Sequence, residues 1–501
     1  MSFKNNKQIT LIGALTSKPY AFNARSWELK NIETIDIFDS LCSNIKVDIR
    51  DSKIMRILPS YNDNINEEWI SDKARFSFDG LNRWRFVNPM IKKNNLFIET
   101  NWKECLNSVK NEFTSNKYKN TIINTGYFTD IETIISLKNL SNKLDNVQTN
   151  SINIPFDFQN DYLINENLDT INGRKVYIIV GLNLRLENPV LNIKLRKLSK
   201  KKNVLIGYIG SYFNSTYNMV NLGNNLDIIK KIFTGKHWFC SYLSQFNKNN
   251  LNYELQNEIS FIFGQEFFNK YNSINLYNNL KNLKFKNFKI SFNTLLSHSG
   301  YINALELGFN NTININNNDH RSNLYYLIGT ESNNNINKND TVIFQGHHND
   351  KIRSKIDIIM PSTNWLEKYA LYINCFGMIQ KTKFVINPPI NSRDDWKIIE
   401  MLNINIFNKL DLFDLKKVHS VLEKITPNFM KNIGKFKYIR NNFLNLKLSY
   451  TTPSLFNRKS LFKSFISNYY KFTSIERASK IMLECSNKLN KSKNNYIKIN
   501  K

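Results

Sequence analysis

Short, unbroken apolar runs recur along the chain. Four of them end in glycine: YIIVG (177–181), LIGYIG (205–210), YYLIG (325–329) and VIFQG (342–346). Each predicts a buried strand that stops at a turn. TIINTG (121–126) is a weaker fifth. Runs with no polar alternation belong to strands covered on both faces, as in parallel sheets flanked by helices. Helical periodicity fills the gaps. Thr129 and Glu132 have the spacing of a capping box, and Ile131, Ile134, Ile135, Leu137, Leu140 and Leu144 form a stripe behind them. Asn188 and Pro189 suit the start of another helix, with Val190, Ile193 and Leu198 toward a sheet and Lys194, Arg196 and Lys197 toward water. YIIVG, this helix and LIGYIG make one right-handed βαβ unit. The predicted fold class is therefore α/β, with doubly wound parallel-sheet lobes.

The first 90 residues differ. KVDIRDSKIMRILP (46–59) alternates apolar and polar positions around a DSK turn, which predicts an antiparallel hairpin and a small β-containing lobe. Asn-rich stretches at 214–225, 246–257, 271–290 and 309–340 read as loops with interspersed helix. Residues 464–489 read as helical, capped near Thr473, Ser474 and Glu476, with a mobile tail beyond.

Composition narrows the classes. The chain has 501 residues, 41% hydrophobic and 13% aromatic, enough for a large core in several lobes. No apolar run reaches the length of a bilayer span, so direct membrane insertion is not expected. The first ten residues carry neither an apolar signal core nor an arginine-rich amphipathic pattern. The net charge of +28 raises nucleic-acid binding. However, the basic residues are dispersed, and the abundance of Asn, Lys, Ile, Tyr and Phe fits an AT-rich gene. KLRKLSKKK (194–202) is the densest run and can be a solvated helix end. Five cysteines lie far apart, with no CxxC and no cluster-ligand spacing. His347 and His348, if on a strand, would point to opposite faces and make a poor metal site.

Several stretches carry a family resemblance. GALTSKPYAFNARSWELKNIETID (13–36), NINEEWISDKARFSFDGLNRWRF (64–86), GLNLRLENPVLNIKLRK (181–197), YNMVNLG (217–223), QGHHND (345–350), IDIIMPSTNWLEKYALYIN (356–374), PPINSRDDWKII (388–399) and SIERASKIM (474–482) occur in order. They closely resemble the large iron–sulfur subunit of respiratory complex I, NADH:quinone oxidoreductase. The match is weakest over 226–320.

The resemblance implies an N-terminal, cluster-bearing part followed by a domain similar to molybdopterin oxidoreductases such as formate dehydrogenase. This chain carries the second part. On that reading it is a split, organelle-encoded half-subunit of the mitochondrial matrix arm. It would bind no cofactor itself, and its partners would be the chain holding the iron–sulfur clusters and other peripheral-arm subunits, not nucleic acid. Thr10 falls where relatives place their last cluster cysteine. The expected organisation is a linker and small lobe (1–90), an α/β body (91–360), its C-terminal part (361–445), and a C-terminal helix with a basic tail (446–501).

Three roles follow for comparison: an active molybdopterin enzyme, a non-catalytic complex I subunit, and a basic nucleic-acid-binding protein. The loop after YIIVG sits where such enzymes bind a pterin dinucleotide, yet Leu182, Leu184 and Leu186 place bulk there. Asn183 and Arg185 would hydrogen-bond that loop, and Glu187 and Asn188 would cap the helix. Relatives read NTEGR where this chain has Asn374, Cys375, Phe376, Gly377 and Met378, and Cys375 is expected to be a buried thiol. The second role fits best. Its candidate partner-interface residues are Arg25, Trp27, Glu28, Glu67, Glu68, Trp69, Asp72, Arg75 and Arg83, because Trp and Arg anchor interfaces. The alternative is that their charges pair within the chain.

Overall fold

The apolar runs become strands wherever both of their faces find cover. The computed structural model describes residues 17–499 apart from 116, 153, 155, 157, 167–170, 172, 202–203, 250–258, 271–272, 283–289, 311–321, 332–335, 409–413, 428 and 435–460. Strands β1 (Lys30–Ile35), β2 (Asn44–Arg50) and β3 (Lys53–Pro59) form an antiparallel meander. Asp51 and Ser52 connect β2 to β3 with φ of 49° and 62°. Two positive φ values give the turn whose twist matches a hairpin. The hairpin expected at 46–59 is present.

The other strands are β4 (Met90–Lys93), β5 (Leu96–Glu99), β6 (Thr121–Thr125), β7 (Val147–Asn150), β8 (Val176–Val180), β9 (Leu205–Ile209), β10 (Val220–Gly223), β11 (Ile259–Gly264), β12 (Ile290–Leu295), β13 (Leu324–Ile328), β14 (Thr341–Gly346), β15 (Ile358–Pro361), β16 (Leu371–Ile373) and β17 (Ile379–Lys381). One sheet runs β10-β9-β8-β11-β12, all parallel. A second runs β5-β4-β15-β14-β13-β6-β7, parallel except for the β4–β5 hairpin at one edge. Strands β16 and β17 form a small hairpin.

In the seven-stranded sheet, side chains alternate between two cores. Ile123, Tyr326, Ile343 and Met360 join the main core, which the helices Ile131–Ser141 and Asp395–Phe407 also enter. Ile122, Tyr325, Val342, Phe344 and Ile359 pack on the other side with Phe86 and Ile352. The N-terminal lobe has its own core, including Phe38, Val47 and Ile57. Trp365, Tyr372 and Ile475 reach into it from far along the chain.

Several details depart from the sequence expectations. Asp130, not Thr129, caps the helix Ile131–Ser141 by accepting from the Thr133 amide at 2.8 Å. Thr129 instead bonds Gly126, and Glu132 is buried and accepts from the Leu371 amide at 3.0 Å. The expected capping box does not form because Glu132 is drawn to β16. Asn188 accepts from the Leu191 amide at 3.1 Å, as expected for the helix Pro189–Lys201. Its stripe, however, is Val190, Leu191, Leu195 and Leu198, with Ile193 half-buried. Lys194 is also buried rather than solvated, because residues of the N-terminal lobe cover that side.

His347 and His348 lie past the end of β14, and their rings meet with Nδ1 atoms 2.7 Å apart instead of diverging. At the C-terminus the Thr473–Glu476 capping box forms, but residues 469–471 are a 3-10 turn. The helix Lys480–Ile499 runs into the stretch expected to be a mobile tail. Strand β10 lies inside the stretch 214–225 read as a loop, and β11 and β12 lie beside the Asn-rich stretches, where no strand was expected.

Candidate functional site

Parallel sheets bind ligands beyond the C-terminal ends of their strands. At that end of the seven-stranded sheet the space between Gly329 and Gly346 shrinks to a cavity of about 20 Å³. One water fills such a volume, whereas a drug-sized ligand needs about 300–1,000 Å³. Phe128, Trp365, Lys368 and Tyr372 close it. Lys368 is buried, with its ammonium 2.5 Å from Asp130 and 2.9 Å from Asp395. The two carboxylates hold that lysine above its ordinary range despite its burial. Gln345 donates to Asp395 at 2.9 Å, and the Tyr372 hydroxyl donates to the Phe128 carbonyl at 2.9 Å. Glu367, next in the chain, accepts from both terminal guanidinium nitrogens of Arg85. A structural network of ion pairs therefore occupies the cleft.

The five-stranded sheet changes winding direction between β8 and β11, the usual dinucleotide position. Here the loop Gly181–Asn188 closes on itself. Gly181 takes φ 58°. Leu182 packs so tightly on Gly264 that a β-carbon there would lie 2.5 Å from its own. Leu182 and Leu184 are buried. The Asn183 amide donates to Glu187 at 2.8 Å, and Arg185 donates to the Asn214 carbonyl at 2.9 Å. Burial pushes the Glu187 carboxyl up to about 8. The side chains present do not fit a pterin dinucleotide, since bulk and internal bonds fill the space where phosphates would approach the backbone.

The candidate interface residues divide into two groups. Arg25, Trp27 and Glu28 lie on or beside the exposed 3-10 turn Ser26–Glu28, with Trp27 79% exposed. Arg25 lies 6.0 Å from the Trp27 ring centre, and Glu28 bonds Arg50 at 2.8 Å. Glu68 and Arg83 are also exposed. The other group is engaged within the chain. Glu67 pairs with Lys197 of the body, whose ammonium also lies 5.5 Å from the Trp69 ring. Trp69 packs against the main core. Asp72 opens the short helix Asp72–Phe76, and Arg75 on that helix is buried. Burial lowers the Arg75 pKa, and the nearby Asp72 charge opposes that shift.

Sequence reasoning missed the buried centre of this lobe. Lys73 is buried and lies 3.1 Å from the fully buried Glu476. Asp36 and Asp39 sit close by, both with raised pKa values caused first by burial; Asp39 reaches about 6. Nothing in DKARF separates Lys73 from a solvated lysine, because its partner lies some 400 residues away. The neighbouring bond from Ser479 to Asp79 spans a separation of 400. Arg477 extends the closure to Glu331 and Asp350, at 2.7 and 2.5 Å.

A four-iron cluster takes four thiolates. Between residues 29 and 79 the chain has only Cys42, which is fully buried and pushed well above its ordinary pKa, first by burial. Those residues do not fit a cluster. Cys375 is likewise a buried thiol in the β16–β17 turn, where Asn374 accepts from the Phe376 and Met378 amides. No group of three or more His, Cys, Asp or Glu is placed to hold a metal ion among the described residues. No described helix is long and apolar enough to cross a membrane. Thr10 lies outside the described residues.

Comparison with known proteins bears on both lobes. Residues 85–403 match the molybdopterin oxidoreductase family. Residues 29–79, within the stretch expected as a linker and small β-containing lobe, match the NADH-ubiquinone oxidoreductase NDSU1/NuoG-like 4Fe-4S domain. The chain is 35% identical to the NADH-ubiquinone oxidoreductase 75 kDa subunit of Reclinomonas americana, over 95% of this chain and 71% of that one. It is 34% identical to the mitochondrial 78 kDa subunit of Candida albicans, over 95% and 66%. It is 31% identical to the 75 kDa subunit of Acanthamoeba castellanii, over 95% and 69%. With two lobes, two family matches and near end-to-end similarity, the chain belongs to the family of the 75 kDa subunit of NADH-ubiquinone oxidoreductase.

Proposed function

We propose that this chain is a non-catalytic subunit, or half-subunit, of the peripheral arm of respiratory complex I. It supports electron transfer from NADH to ubiquinone, coupled to proton translocation, and binds no cluster itself. Its partners are a separate chain carrying the iron–sulfur clusters and other peripheral-arm subunits, on the matrix side of the mitochondrial inner membrane. The observation that carries this reading is the pairing of family similarity with closed sites. The enzyme-like cleft is filled by the Lys368 network, and the cluster-type lobe has one buried cysteine. A molybdopterin-dependent activity would need that cleft open. A nucleic-acid role is weakened at the densest basic run, since Lys194 is buried and Lys197 is paired.

Native gels of mitochondrial membranes test the assembly. The chain should migrate with NADH dehydrogenase activity, and sedimentation with mitochondrial DNA or ribosomes would overturn the reading. Metal analysis of the isolated chain tests the rest. Iron and molybdenum should fall far below one atom per chain.

A further inference from the structure

An open groove of about 960 Å³ runs across the N-terminal lobe, between residues 17–25 and strand β3. Met55, Ile57, Phe76 and Phe78 contribute its apolar lining. Arg25, Arg50, Arg56 and Arg75 also line it, against Glu28 as the acidic lining residue. Two of these arginines are held in place. Arg56 lies 4.6 Å from the Tyr20 ring centre and 2.6 Å from Asp48, and Arg50 is fixed by Glu28. Fixed guanidinium groups lose little freedom on binding a carboxylate. Beside the groove, Phe22 is fully exposed and Trp27 nearly so. Exposed aromatics next to arginines match the composition of interface centres.

We propose that this groove receives an extended, acidic segment of a separate polypeptide, with carboxylates on the arginines and apolar side chains on the Met55–Phe78 floor. A phosphate group alone would leave that floor uncovered, and the groove's size suits several residues of chain rather than a compact anion. The inference rests on the reading that this lobe faces a partner in complex I, and it adds the partner's chemistry.

The test places a photoreactive p-benzoylphenylalanine at Met55, or at the fully exposed Phe22, in the full chain within the native complex. Cross-linked peptides are then sequenced from the gel band. The expected product joins this chain to a net-negative segment of another subunit. Arg25→Glu should cut its yield about fivefold, since it removes one exposed ion pair and sets like charges against each other. Cross-links only to residues 1–16 of the same chain, to a neutral or basic segment, or to no protein would overturn the groove proposal while leaving complex I membership intact. A labelled chain that folds but never enters the complex I band, as unlabelled chain also fails to do, would instead overturn the membership reading.

Discussion

Lys368 shows how burial reverses the meaning of a charge. Its ammonium balances Asp130 and Asp395 inside the closed cleft. Lys368→Met would leave two carboxylates buried without their cation, a loss of about 3–5 kcal/mol. Urea denaturation should show it as a lower midpoint with an unchanged slope. Glu187 gives a second residue-scale prediction. Its folded pKa is raised to about 8 from an ordinary 4.5. The folded state therefore holds a proton that the unfolded state has released, so the contribution to stability falls as pH rises between those values. Glu187→Gln keeps the acceptor for the Asn183 amide and removes the titration. The variant's melting temperature should match wild type near about pH 4.5 and exceed it increasingly toward about pH 8.5. Asp39 shifts the same way, whereas burial lowers His298 and Lys194 and makes their contributions rise with pH. The variant difference isolates Glu187 from these. Neither role could be read from the sequence. Lysines and glutamates look solvated until the segments that cover them are known, and those segments are distant.

Elements were more legible. An apolar run ending in glycine needs only its own residues to announce a buried strand, and five such runs became β6, β8, β9, β13 and β14. The turn at Asp51 and Ser52 was legible for the same local reason. Strand β12 was not, because ISFNTL is half polar and its Asn is satisfied by distant partners: Asn293 donates to Glu166 at 3.1 Å and to Ser260 at 2.9 Å. The Thr129 cap failed because two good caps stood side by side and tertiary contacts chose between them. Packing between elements yields a sharper prediction. A β-carbon on Gly80 would lie 2.2 Å from the Ile475 carbonyl oxygen. Gly80→Ala must therefore push the helix Ser474–Ala478 off the lobe, at about 1–3 kcal/mol. Hydrogen exchange across 474–486 should quicken while the five-stranded sheet stays protected.

For the whole molecule, ordered motifs made the family legible, whereas composition pointed elsewhere: a charge of +28 suggested nucleic acid. The candidate interface was legible as a set of residue types but not as a surface, since nothing local distinguishes exposed Trp27 from packed Trp69. The two should respond differently. Trp27→Ala should leave the melting temperature nearly unchanged and weaken entry into complex I in reconstitution assays. Trp69→Ala should destabilise the chain itself, by about 2 kcal/mol. Unchanged assembly of the Trp27→Ala chain would remove Trp27 from the interface. Finally, the Lys73–Glu476 pair and the Ser479–Asp79 bond tie the N-terminal lobe to a segment far downstream. During synthesis the lobe at 29–79 must wait, with Lys73 lacking Glu476 and Asp79 lacking Ser479, until the segment around these two residues leaves the ribosome. A product terminated before that segment would thus present an unfinished lobe, and the fold itself would act as a checkpoint that lets only chains extending past Ser479 dock.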